Sequence, residues 1–185
     1  HLVATKAVTL LADGVRDGAA ARATHDFLYA QRRGKVSTDL TIVSVDLASK
    51  TVVLSRNNVC PLVVISDGEP RLLDEPSQPI GIYARTKPVV TELPLAAGLA
   101  IIVISDGVLE AGARYGQRLD LLAAVRDLLG PTSAAQSIAD GLLAHAASLD
   151  RQRPQDDASV LVLTVTAAEA DETTRRLQVA FPMHV

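Results

Sequence analysis

The stretch Leu99 to Glu110 constrains this chain more than any other. Leu99 to Ile104 is an unbroken apolar run rich in β-branched side chains. Such a run suits a strand buried on both faces, because a half-exposed strand would alternate apolar with polar. It stops abruptly at Ser105-Asp106-Gly107. A carboxylate at the tip of a buried strand is costly unless something pairs with it. A glycine beside it lets the backbone turn sharply or approach another group closely. A second acidic pair, Asp156-Asp157, precedes another apolar strand, Val160 to Val165. If the two strands are antiparallel neighbours, the end of the first meets the start of the second. Asp106 and Asp156 then converge at one sheet edge, and two converging carboxylates call for a cation.

Asp-Gly alone is a weak signal, because the pair is a common turn. Val-Ile-Ser-Asp-Gly itself occurs twice, ending at Gly68 and at Gly107. Asp67-Gly68 lies between two apolar segments and reads as a hairpin turn. Asp13-Gly14 follows a helical pattern and reads as a helix end. Asp106-Gly107 differs, because a helical region follows it and no return strand does. Asp156-Asp157 alone could be a solvated loop paired with Arg151 and Arg153. The combination matters, since hard carboxylate oxygens at two strand ends suit Mg²⁺ or Mn²⁺.

The rest of the chain supplies a frame for those tips. Leu2 to Leu11 and Gly18 to Arg32 have helical spacing, with Asp17 as a candidate cap for the second helix. Arg32-Arg33-Gly34-Lys35 reads as a solvated turn. Strand patterns follow at Leu40–Leu47, Thr51–Arg56, Leu62–Ile65, Pro70–Asp74 and Val89–Leu93. They lack crossover helices, so antiparallel meanders are expected. Leu119 to Leu129 is an amphipathic helix ended by Gly130-Pro131. Ser133 with Gln136 forms a candidate capping box for a further helix to Leu149. Leu177, Val179 and Phe181 alternate in the pattern of a final edge strand. The expected fold class is α+β, an antiparallel β-sandwich flanked by helices in α-β-β-α layers, formed by residues 1–185 as one domain.

Composition excludes several function classes. The 185 residues carry a net charge of −3 and no Trp, with three Tyr and two Phe. Neither a basic footprint nor a stacking platform for nucleic acid is present. No apolar stretch approaches the ~20 residues that span a membrane. A single cysteine, Cys60, rules out an internal disulfide, reads as a small core residue and fits a cytoplasmic location. The four histidines are scattered and form no zinc-type cluster. No Gly-x-Ser-x-Gly elbow supports a serine hydrolase.

Ser-Asp-Gly-Val-Leu-Glu-Ala at 105–111 resembles the Thr-Asp-Gly-Val-x-Glu-Ala motif of the metal-dependent protein phosphatases, in the bacterial branch similar to sporulation stage II protein E. Pro154-Gln155-Asp156-Asp157-Ala158-Ser159 resembles that branch's Asp-Asp-x-Thr motif, and Pro79-Ile80-Gly81 its Pro-Leu-Gly segment. Ser55-Arg56-Asn57-Asn58 lies where the family has an Ala-Gly-Asn or Ala-Gly-His turn. Order and spacing agree over about Ser37 to Thr166. The resemblance implies two sheets flanked by helices around a binuclear Mn²⁺ or Mg²⁺ centre, with Asp106 and Asp156 at metal-ligating positions. It implies hydrolysis of phosphoserine or phosphothreonine on a bacterial signalling regulator, for instance an anti-sigma-factor antagonist, with no nucleic acid and no membrane contact. Two alternatives stand beside it: an inactive interaction module of the same fold, and a small-molecule phosphatase or phosphodiesterase.

The resemblance has a gap. The family's N-terminal part carries an acidic strand motif and an Asp-Gly-x-Gly-x-Gly-like motif, both metal-binding. Asp13 to Gly18 is at most a degenerate version of the second, and the segment before it is helical in pattern. The expectation is therefore a domain without its N-terminal strands, holding part of the metal site.

Overall fold

Strand β6 (Ala100–Ile104) sits where its sequence demands, inside a sheet with a covered face on either side. The computed structural model describes residues 2–130 and 134–167. Ala100, Ile102 and Ile104 point to one face of the sheet, against helices α4 (Leu121–Leu128) and α5 (Ala135–Leu149). Ile101 points to the other face, against Val52 and Leu54 of strand β2 (Thr51–Asn57) and Leu93 of strand β5 (Val89–Pro94). Period-two alternation thus serves two cores with one apolar run. Ile101 and Ile102 are fully buried, each stabilising the fold by about 1.5–3 kcal/mol.

The strands form two antiparallel sheets. One has the order β1-β2-β5, where β1 is Leu40–Asp46. The other has the order β4-β3-β6-β7, with β3 Leu62–Ser66, β4 Glu69–Leu73 and β7 Val160–Thr164. Helices α1 (Leu2–Ala12) and α2 (Asp17–Arg32) cover the outer face of the first sheet, where Ala7, Ala21 and Leu28 meet Leu40 and Ile42. The four layers α-β-β-α follow. Val45 on β1 and Leu161 on β7 remain 42% and 55% exposed. By alternation both belong to the faces that look across the sandwich, so its β1/β7 flank is less covered than its centre.

Several local expectations are met. Asp67 and Gly68, at φ 53° and 79°, make the two-residue turn between β3 and β4. Helix α1 ends at Asp13-Gly14, where Gly14 has φ 81° and its N–H donates to the Leu11 carbonyl. Others are corrected. Asp17 does not cap α2: Arg16 holds that position without a side-chain bond, and Asp17 lies in the first turn and accepts from the Ser44 hydroxyl of β1. The carboxylate ties helix to sheet instead of satisfying the helix end. Helix α4 starts two residues later than its apolar pattern, because Asp120 caps it by accepting from the Ala123 N–H at 3.0 Å. Helix α5 begins after Ala134 with no side-chain cap, and Gln136 donates to Asp140. Ser133 and the strand expected around Leu177 to Phe181 lie outside the described residues.

Candidate active site

The pairing of β6 with β7 decides where the acidic tips go. The two strands are antiparallel, with Ile104 opposite Val160. The C-terminal tip of one therefore adjoins the N-terminal approach of the other. Ser105 fastens them together: its N–H donates to the Ser159 carbonyl at 3.0 Å, and its hydroxyl donates to the Asp157 carbonyl at 3.0 Å. The same hydroxyl accepts from the Ser159 N–H at 2.9 Å. Helix α3 (Asp106–Leu109) then turns away. A Cβ built on Gly107 would lie 2.6 Å from the Asp157 carbonyl oxygen. Only glycine lets the two segments approach so closely.

Asp106 and Asp156 consequently line one cleft of about 360 Å³, together with Glu110, Arg114, Asp150 and Gln155. The two aspartates are built alike. Oδ1 of Asp106 accepts from the Gly107 N–H at 2.9 Å, and Oδ1 of Asp156 accepts from the Asp157 N–H at 2.8 Å. The second oxygen of each has no protein partner among the described residues. Arg151 and Arg153 form no ion pair with Asp156 or Asp157 there. Arg151 instead lies over the Tyr115 ring, 4.2 Å from its centre.

Asp106 also borders a second cleft, lined by Ser37, Thr38, Asp39, Val59 and Pro79. Asp39 was not legible as a site residue from the sequence. Its carboxyl titrates above the usual carboxylate range, first from partial desolvation and second from the negative charge of Asp106. Two carboxylates that feel each other's charge fit a site for a hard divalent ion. Yet among the described residues no group of three or more His, Cys, Asp or Glu is gathered closely enough to hold one. The residues present thus fit part of such a site.

The walls of the second cleft rest on a buried polar hub at the end of β2. Asn58 Oδ1 accepts from the Cys60 N–H at 2.7 Å, and Arg56 donates to the carbonyls of Asn58, Cys60 and Glu75. Asn57 donates to the carbonyls of Gln78 and Lys87. The segment Ser55 to Asn58 therefore shapes loops. The Cys60 thiol is buried, and burial, followed by the charges of Asp39 and Asp106, pushes its pKa up to about 11. That excludes it as a nucleophile near neutrality. His25 is also structural: its Nδ1 accepts from the Gly81 N–H at 3.1 Å, which ties α2 to the Pro79-Ile80-Gly81 loop.

The sequence profile of the stage II sporulation protein E (SpoIIE) family matches residues 2–166. The chain belongs to that family, a bacterial branch of the metal-dependent (PP2C-type) protein phosphatases. Solved structures agree on the fold of this SpoIIE-family chain. The phosphatase domain of SpoIIE from Bacillus subtilis, solved with a fragment of its regulatory domain, superposes with a TM-score of 0.75 at 21% identity, covering 89% of this chain and 48% of that one. This chain thus spans about half the length of that relative. The RsbU and RsbW domains of Rv1364c from Mycobacterium tuberculosis give 0.68 at 24% identity, covering 91% and 47%. The catalytic domain of the serine/threonine protein phosphatase PstP, in complex with two manganese ions, gives 0.66 at 17% identity, covering 90% and 81%. A comparison with curated protein sequences gives no match. Among the described residues no helix is long and apolar enough to cross a membrane.

Proposed function

We propose that this chain acts as a metal-dependent serine/threonine protein phosphatase on a phosphorylated bacterial signalling regulator of the partner-switching kind, an anti-sigma-factor antagonist being the expected type, in the cytoplasm. The observation that carries this reading is the shared cleft of Asp106 and Asp156, each with one oxygen free of protein partners. Those two oxygens would hold Mn²⁺ or Mg²⁺. Ions bound there supply Lewis-acid chemistry, lowering the pKa of a water and offsetting phosphoryl charge. Ser105 keeps the two carboxylates in register, and Gly107 gives them a common approach. The Asp39 carboxyl lines the adjoining cleft that also takes in Asp106, and would add a further oxygen donor there when deprotonated.

The test is Mn²⁺-dependent release of phosphate from a phosphoserine peptide by the full-length protein, abolished in Asp106→Asn and in Asp156→Asn. Activity that survives both substitutions refutes the assignment. One observation favours a second reading, an interaction module of the same fold: the absence of a closely gathered ligand trio among the described residues. Binding of a phosphorylated regulator without Mn²⁺-dependent hydrolysis would select that reading.

A further inference from the structure

The cleft that holds Asp106 and Asp156 contains a cation that the metal reading leaves unused. Its charged lining comprises Asp106, Glu110, Asp150, Asp156 and Arg114. Ions held by Asp106 and Asp156 would offset phosphoryl charge, but they leave the outward oxygens of a dianionic phosphate ester without a protein donor. Arg114 is the only basic residue among the described lining of the cleft and so the one side chain there that can grip those oxygens.

Arg114 is free to do so. Glu110 is occupied by Arg118, at 3.0 Å. Arg114 itself forms no ion pair among the described residues; its guanidinium lies 5.9 Å from the centre of the Tyr115 ring. A planar guanidinium offers paired N–H donors that match two phosphoryl oxygens.

The turn that presents Arg114 is braced from both ends. It is a single 3₁₀ turn, Ala113–Tyr115. On one side the Gly112 N–H donates to Oδ1 of Asp150 at 2.9 Å, where Asp150 is 4% exposed at the end of α5. On the other the Tyr115 ring lies under Arg151. The Gln117 N–H closes the loop onto the Gly112 carbonyl at 3.0 Å. Asp150 therefore lines the cleft with a carboxylate already committed to the backbone.

We propose that Arg114 recognises the phosphoryl group of the substrate, and that Asp150 is a positioning residue that holds the Arg114 turn in place. This rests on the phosphatase reading, and the experiment separates the two. KM and kcat are measured for the full-length protein with Mn²⁺, on a phosphoserine peptide and on p-nitrophenyl phosphate, alongside inhibition by inorganic phosphate. Arg114→Gln should raise KM for both substrates by about tenfold or more and weaken phosphate inhibition similarly. Arg114→Lys should recover part of the loss, and the Mn²⁺-induced rise in melting temperature should be unchanged in both variants. Asp150→Asn should shift KM in the same direction but less.

An Arg114→Gln enzyme that matches wild type overturns the proposal and leaves the phosphatase reading standing. A KM effect on the peptide alone also overturns it, because Arg114 would then be reading a flanking acidic side chain. A wild-type protein with neither Mn²⁺-dependent hydrolysis nor phosphate binding overturns both.

Discussion

Val-Ile-Ser-Asp-Gly ends strand β3 and ends strand β6, and the two copies meet opposite fates. The strands are antiparallel neighbours, with Leu62 opposite Val103 and Ile65 opposite Ala100, so the pentapeptides point to opposite ends of one sheet. At the first copy Glu69-Pro70 follows, and the chain reverses through a two-residue turn into β4. At the second, Val108-Leu109 follows, and Val108 is buried in the core under α4 and α5, which draws the chain into a helix. Ser66 makes no side-chain hydrogen bond among the described residues, while Ser105 makes two with the segment before β7. A Cβ on Gly68 would meet nothing within 4 Å, while one on Gly107 would meet the backbone of Asp157. The pentapeptide thus sets only the strand end. Its neighbours in space decide whether the aspartate becomes a turn residue or part of a site.

The largest expected contrast lies in the two aspartates. Asp106→Asn should abolish Mn²⁺-dependent phosphate release, and Asp67→Asn should leave it unchanged. Calorimetry in EDTA adds a second reading. Removing the negative charge that acts on Asp39 should raise the metal-free melting temperature in Asp106→Asn while the upward shift on adding Mn²⁺ shrinks. Equal Mn²⁺ shifts in wild type and Asp106→Asn would contradict the assignment of that carboxylate.

The glycines sharpen the same contrast by separating stability from metal affinity. Gly68 has φ 79°, so Gly68→Ala should cost about 1–2 kcal/mol from left-handed backbone strain and leave Mn²⁺ binding intact. Gly107→Ala should cost about 1–3 kcal/mol through overpacking against rigid backbone. It should also weaken Mn²⁺ binding, because relief of the clash moves Asp156 and Asp157 away from Asp106. Mn²⁺ titration of both variants decides; comparable affinities would mean that the contact at Gly107 does not set the metal geometry.

Ser105→Ala and Ser66→Ala form a milder pair. Loss of the Ser105 hydroxyl removes its bonds to the Asp157 carbonyl and the Ser159 N–H and should cost about 1 kcal/mol. Faster hydrogen exchange at the Ser159 amide should accompany it. Ser66→Ala should fall within about 0.5 kcal/mol of wild type.

What could be seen in the sequence, and what could not, divides along the same line. The double-sided burial of β6 was legible because an unbroken apolar run has few other homes. The meeting of Asp106 with Asp156 was legible because it needed only one antiparallel pairing. Asp39 and Asp150 were not, since each joins the site through a contact distant in sequence: Asp39 beside Asp106, and Asp150 to Gly112. Arg114 was not either, because its place in the cleft depends on the turn that the Gly112–Asp150 contact braces. Asp17 misled for the same reason. Its position suited a helix cap, but the nearby Ser44 hydroxyl on β1 claimed its carboxylate.

The smallest expected effect tests whether Asp39 belongs to the Asp106 side of the contrast. The Asp39 carboxyl is raised above its ordinary 3.8, by desolvation first and by Asp106 second. Between that ordinary value and the raised one, the folded chain keeps a proton that the unfolded chain has released. The folded state then binds more protons than the unfolded one, so stability falls as pH rises through that window. Asp106→Asn removes the second cause but leaves the first, so the Asp39 pKa should move down part of the way and the pH-dependent loss of stability should shrink. Asp67→Asn lies at the other end of the sheet and should move neither. NMR titration of the side-chain carboxyl carbons in EDTA reads the shift directly. An Asp39 pKa that is the same in Asp106→Asn and wild type would mean that the two carboxylates do not share a field, and would remove Asp39 from the candidate donors of the site.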